Sequence, residues 1–199
     1  PAVSYEGETP DGFDPYPSIQ ISESENWNGV QAWANNLYKI ESKPLSDELN
    51  ALFSEWAAIE DQELAIRTAL QFAQEDIRYW GIELGENSYR PSHPNEVFER
   101  RFGDCKDKSI FFLHALKAMG VNAYPALVAT HKLDRLKTQL PTPGAFNHVI
   151  TMVEWNGKRY WLDATQTYQR GTLDNIGFTD YEWALLVNHP EKTLVPMNT

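Results

Sequence analysis

Residues 146–165, FNHVITMVEWNGKRYWLDAT, decide how the chain is read. Two apolar-rich runs are joined by Asn156-Gly157, and an Asn-Gly pair between such runs is the strongest short signal for a hairpin closed by a type I′ turn. A two-residue turn fixes the register: Trp155 pairs with Lys158, Glu154 with Arg159, and Ile150 falls opposite Asp163. Side chains alternate along a strand, so His148, Ile150, Asp163 and Thr165 share one face. His148 and Asp163 become diagonal neighbours, within reach of an imidazole–carboxylate hydrogen bond. The other face carries Val149, Thr151, Val153, Tyr160, Leu162 and Ala164, and suits a core. The opposite charges of Glu154 and Arg159 meet directly, which supports the register.

Upstream lies Gly103-Asp104-Cys105-Lys106-Asp107-Lys108-Ser109, with the only cysteine of the 199 residues. Ile110–Met119 continues as a helix closed by Gly120. Asp104 is a good N-cap and Asp107 a first-turn acid, also placed to bridge to a neighbouring loop. The thiol therefore sits at the positive end of a helix, an environment that favours a thiolate nucleophile. A lone cysteine is by default a small buried hydrophobe. A nucleophile facing an imidazole that is held by a carboxylate is the alternative chemistry. Lys106 and Lys108 are expected to be exposed.

Composition sets the frame. Hydrophobic residues make up 42% and charged residues 23%, enough for a core and against global disorder. The net charge of −11 argues against nucleic acid and anionic membrane surfaces as partners. No apolar run approaches the roughly 20 residues of a membrane span. One cysteine cannot form an intramolecular disulfide, so the redox compartment stays open. The chain starts with Pro1 and carries no secretory signal, as a processed chain or an excised piece would.

Residues 1–18, rich in Pro, Gly, Asp and Tyr, read as a linker, and Ile19–Ser22 as a short strand. Helices are expected from Trp27 to Tyr38, from Ser46 to about Ile59, and from about Leu64 to Ile77, their apolar stripes assigned to the core. Ile77–Pro91 is a Gly-punctuated aromatic loop, followed by a short helix Asn95–Arg101. Val121–Thr130 is a strand whose Pro125 hints at an edge or bulge. Residues 131–145 form a loop long enough to cover a cleft. His93, His114, His131 and His189 show no metal spacing, and no segment resembles a calcium loop.

Phe102–Ser109, Asn147-His148-Val149 and Trp161–Thr165 together resemble the three ordered motifs of the bacterial transglutaminase-like family, whose core is shared with papain-like cysteine proteases. Ile77–Pro91 is similar to the branch in which this domain follows an N-terminal β-rich domain of unknown function. The resemblance covers roughly residues 45–170. It implies an α+β fold, helices packed on an antiparallel sheet with the nucleophile at a helix N-terminus. It divides the chain into a linker and helix from a preceding domain, 1–44, and a catalytic domain, 45–199, with the tail 171–199 adding strands or packing on the core. It makes Cys105 the nucleophile, His148 the base and acid, and Asp163 the orienting carboxylate. An oxyanion would be held by the Cys105 N–H and by an upstream aromatic donor, with Trp80 first and Tyr89 second in order of preference. The implied activity is thiol-dependent acyl transfer on a peptide or glutamine-type carboxamide, as a protease, amidase or transglutaminase, with no metal and no cofactor. The partner is a peptide or protein substrate, and relatives place the domain in the periplasm or cell envelope. A catalytically idle peptide- or cell-wall-binding module is the alternative.

Overall fold

Three helices come first, each started by a side chain that accepts from an otherwise unpaired first-turn N–H. The computed structural model describes residues 19–39, 43–81, 88–131 and 136–197. Helix α1 spans Trp27–Leu37 behind Asn26, α2 spans Asp47–Ala57 behind Ser46, and α3 spans Gln62–Glu75 behind Asp61. A two-residue strand β1, Arg78–Tyr79, runs parallel to β2, Phe102–Gly103. Between them lies α4, Pro94–Arg100, with Pro94 at its start and Arg101 in the left-handed region at its end. Helix α5, Cys105–Ala118, follows β2 at once.

The strands β3 (Asn122–Val128), β4 (His148–Trp155), β5 (Lys158–Leu162), β6 (Trp183–Leu186) and β7 (Leu194–Pro196) form an antiparallel sheet in the order β5-β4-β3-β6-β7. The hairpin register is as read from the turn: Trp155 opposes Lys158 and Glu154 opposes Arg159. Asn156 and Gly157 have φ of 50° and 74°, the left-handed pair that a type I′ turn requires.

Helix α5 lies between the helices and the sheet, packed on α2, α3 and α4 on one side and on β3 and β4 on the other. That placement buries every residue from Cys105 to Leu116, so no side of the helix is left for solvent. Phe111, Phe112 and Leu116 meet Phe53, Ile66 and Leu70 of the helical layer and Val153 and Leu162 of the sheet in one cluster. The far face of the sheet is covered as well: Ile150, Met152 and Trp161 pack with Tyr181, Val195 and Met197 of the tail.

Helix α1 joins the same body. Val30, Ala34 and Tyr38 pack with Cys105, Leu127, Val149 and Leu185. Two expectations need correcting. Ile19–Ser22 forms no strand: Ile19 and Ile21 are almost fully exposed, and the segment runs beside Leu140 and Pro141 through hydrogen bonds from the Leu140 N–H to Gln20 and from the Ser22 hydroxyl to the Pro141 carbonyl. Pro125 lies in the central strand, tolerated because it stands where β6 has ended and contributes only its carbonyl, which accepts from the Val187 N–H at 2.8 Å. The linker reading of residues 1–18 falls outside the described residues.

Candidate active site

The start of α5 is built by short-range contacts. Asp104 accepts hydrogen bonds from the backbone N–H groups of Lys106 (3.1 Å) and Asp107 (3.2 Å) and pairs with the Lys106 ammonium. Asp107 reaches back to α4, accepting from the Ser92 N–H at 2.7 Å and from the Arg100 guanidinium. A β-carbon on Gly103 would lie 2.7 Å from the Asp107 β-carbon, so only glycine allows β2 to run this close to the helix. Lys106 and Lys108 are buried, contrary to the sequence expectation: the first is neutralised by Asp104, and the second donates to the carbonyls of Ile77 (2.7 Å) and Gln74 (3.3 Å) at the end of α3.

Cys105 is the first residue of this helix, and His148 is the first of β4. His148 Nε2 stands 2.8 Å from Asp163 Oδ2, which leaves Nδ1 as the ring nitrogen available to interact with Cys105. The other Asp163 oxygen accepts from the Thr165 N–H (2.8 Å) and hydroxyl (2.7 Å), and the Asp163 carbonyl accepts from Gln74 Nε2 at 2.9 Å. Burial disfavours charge on the His148 ring, but the bonds to Asp163 and Cys105 outweigh it and push its pKa up to about 10. Burial likewise disfavours the Asp163 carboxylate, and the same imidazole with Thr165 holds it below the ordinary range. The Tyr181 ring stands nearly perpendicular to the imidazole at 5.9 Å. The structure thus brings Cys105, His148 and Asp163 together from three separate elements.

Cys105 and His148 open onto a cleft of about 200 Å³, with Asp163 behind the imidazole. Its walls include Trp33 and Tyr38, Tyr89 of the loop before α4, and Phe146. Trp33 meets Tyr89 edge-on at 5.1 Å, and Trp27 meets Phe146 at 5.5 Å. The two aromatic donors considered from sequence are separated by the fold. Tyr89 lines the cleft. Trp80 does not: it is half-exposed on β2's flank, beside Phe102 at 5.7 Å and beneath the Arg78 guanidinium. Trp33 and Tyr38 were hidden in the sequence because an aromatic stripe at helical spacing is the same whether it faces a core or a cleft. Thr165 carried a readable signal, since a hydroxyl two residues after an aspartate commonly closes a local turn on it. Gln74 and Tyr181 carried none. Among the described residues no three His, Cys, Asp or Glu side chains cluster as metal ligands.

No family model matches the chain, and no curated protein matches it at significance. Among solved structures, a candidate protease from Parabacteroides distasonis aligns with 75% of this chain and 30% of its own, at a TM-score of 0.59 and 13% identity. The α+β fold, helices packed on an antiparallel sheet, is shared with that structure. At that identity the likeness extends to the fold alone. A candidate cysteine protease from Cytophaga hutchinsonii (TM-score 0.46, 18% identity, 65% of this chain and 40% of that one) and the periplasmic domain of TgpA from Pseudomonas aeruginosa (TM-score 0.43, 16% identity, 68% and 47%) are looser matches that do not bear on the fold. The chain spans less than half the length of each of these proteins. Within this fold, the N-terminus of α5 and the start of β4 meet at one end of the sheet, where Cys105 and His148 line the same cleft.

Proposed function

We propose that this chain is a cysteine-dependent acyl-transfer enzyme in which Cys105, His148 and Asp163 act as a triad on a peptide or carboxamide carbonyl. The observation that carries this reading is the placement of one imidazole, hydrogen-bonded to Asp163 and lining the same cleft as the Cys105 thiol, with which it interacts. Asp163 fixes the ring and stabilises its charged form, and the ring takes the thiol proton. The Cys105 sulfur then attacks the carbonyl carbon. The C–N bond breaks with transfer of the imidazolium proton to the leaving nitrogen, which departs as ammonia or an amine and leaves a thioester. Attack by water, deprotonated by His148, gives an acid and frees the thiol. Attack by a primary amine gives a new amide. The Cys105 backbone N–H, at the helix start, is one donor to the oxyanion. Tyr89, in the cleft, is better placed than Trp80 to be the second.

Cleft size supports a short acyl group. At about 200 Å³ it is smaller than the roughly 300–1,000 Å³ of sites for drug-sized ligands. Its described lining holds no carboxylate and, beside the His148 imidazole itself, one cation, Lys106, already paired with Asp104. A neutral side chain next to the reacting carbonyl suits that lining better than the cationic one that a net charge of −11 invites.

The test is mass spectrometry of a peptide library containing glutamine, incubated with and without a primary amine. Cleavage or deamidation that disappears in Cys105→Ala supports the reading, and amine incorporation assigns crosslinking over hydrolysis. No Cys105-dependent product from any peptide overturns it in favour of a binding module.

A further inference from the structure

The least expected side chain in the molecule is Lys108. It is 0% exposed, in the first turn of a helix whose positive end opposes another cation. A buried lysine is costly unless its charge is met and its donors are used. Its ammonium donates to the carbonyls of Gln74 and Ile77. Those carbonyls close α3, a helix with no basic residue in its own last turn, so α5 supplies the cation that a helix C-terminus favours. The same Gln74 donates its side-chain amide to the Asp163 carbonyl at 2.9 Å. One residue of α3 therefore ties the lysine to the main chain of the aspartate.

We propose that Lys108 is a positioning residue for the Asp163–His148 pair: clamped on the end of α3, it holds Gln74 where it grips the Asp163 main chain and keeps a positive charge within electrostatic reach of the Asp163 carboxylate. This rests on the triad reading above. Of the charged and titratable groups around Asp163, His148 from β4 bonds the carboxylate directly, while Lys108 from α5 and Tyr181 from the tail sense its charge without contact. The other ions of the first turn are turned elsewhere, Lys106 to Asp104 and Asp107 to Arg100. Lys108 behaves accordingly: burial lowers its pKa to about 8, and the attraction of Asp163 is what opposes the fall. By reciprocity the ammonium favours the ionised form of Asp163. A lysine that merely capped α3 would have no link to that carboxylate.

Two measurements separate the roles. In isotope-labelled protein, the NMR titration midpoint of the Lys108 ammonium should fall by about half a pH unit or more in Asp163→Asn, where the attracting charge is gone. An unchanged or raised midpoint overturns the proposal. In Lys108→Met, the acid limb of Cys105 alkylation by iodoacetamide should move to higher pH by about half a unit or more, because Asp163 gains its proton sooner, and Lys108→Arg should restore it. A limb that overlays the wild-type one in folded Lys108→Met overturns the proposal. If that variant does not fold, the NMR arm decides alone. Failure of the triad reading shows separately, as alkylation indifferent to His148→Ala. The Lys108 titration is read without reference to activity.

Discussion

Gly103→Ala should damage the site without touching any reacting group. The added methyl would sit 2.7 Å from the Asp107 β-carbon and 3.2 Å from its Oδ2. The β-carbon of Asp107 is fixed by the first turn of α5 and cannot swing aside. Either β2 and the helix start move apart, at about 1–3 kcal/mol for a forced core contact, or Asp107 turns away. In the second case the Ser92 N–H and the Arg100 guanidinium lose their acceptor. A buried donor left unpaired costs about 1–3 kcal/mol. Either outcome costs about 1–3 kcal/mol, which for a domain of this length lowers Tm by about 2–12 °C. Calorimetry reads the stability, and iodoacetamide alkylation reads whether Cys105 still meets His148. A Tm within about 2 °C of wild type, with unaltered alkylation, would refute the claim that the close approach of β2 sets the start of α5.

Other consequences follow from burial and backbone conformation. His114 is neutral inside the fold: burial, with repulsion from His93 and Lys117, lowers its pKa to about 4, whereas the unfolded chain takes the proton near the ordinary value of about 6.5. Stability from this group is therefore present above pH 6.5 and lost as pH falls towards 4, by about 3 kcal/mol in all. Urea unfolding of wild type and His114→Leu between pH 7 and pH 4.5 should show the gap between them change by most of that amount in favour of the variant, and parallel curves would contradict it. Gly157→Ala meets no neighbour but must hold a φ of 74°, so thermal unfolding should report a loss of about 1 kcal/mol, and no loss would contradict the type I′ turn.

The hairpin was legible because two residues fix it. Asn156-Gly157 determines the turn, the turn determines the register, and the register puts His148 beside Asp163. The start of α5 was legible in outline, since Asp104 is a strong cap and Gly103 a clear break. Lys106 and Lys108 were not. Charged residues are assigned to solvent by default, and a helix packed on every side shows no polar face to correct the assignment. The partners of Lys108 are main-chain carbonyls of α3's end, far back along the chain, which no side-chain pattern reveals. The same limit hid α1. Val30, Ala34 and Tyr38 spell an apolar stripe, but nothing in the stripe says that the surface it meets contains Cys105. Trp80 ranked ahead of Tyr89 in sequence, and only the course of the loop before α4 puts Tyr89 in the cleft and leaves Trp80 outside it.

The central claim is that His148, held by Asp163, controls the reactivity of Cys105. The most direct measurement is the rate of iodoacetamide alkylation of Cys105 from pH 5 to pH 10, in wild type and in His148→Ala. The account predicts substantial alkylation persisting at about pH 6 in wild type and lost in the variant, whose rate then follows ordinary thiol titration near about pH 8.5. Two coincident curves, both rising near about pH 8.5, would contradict it.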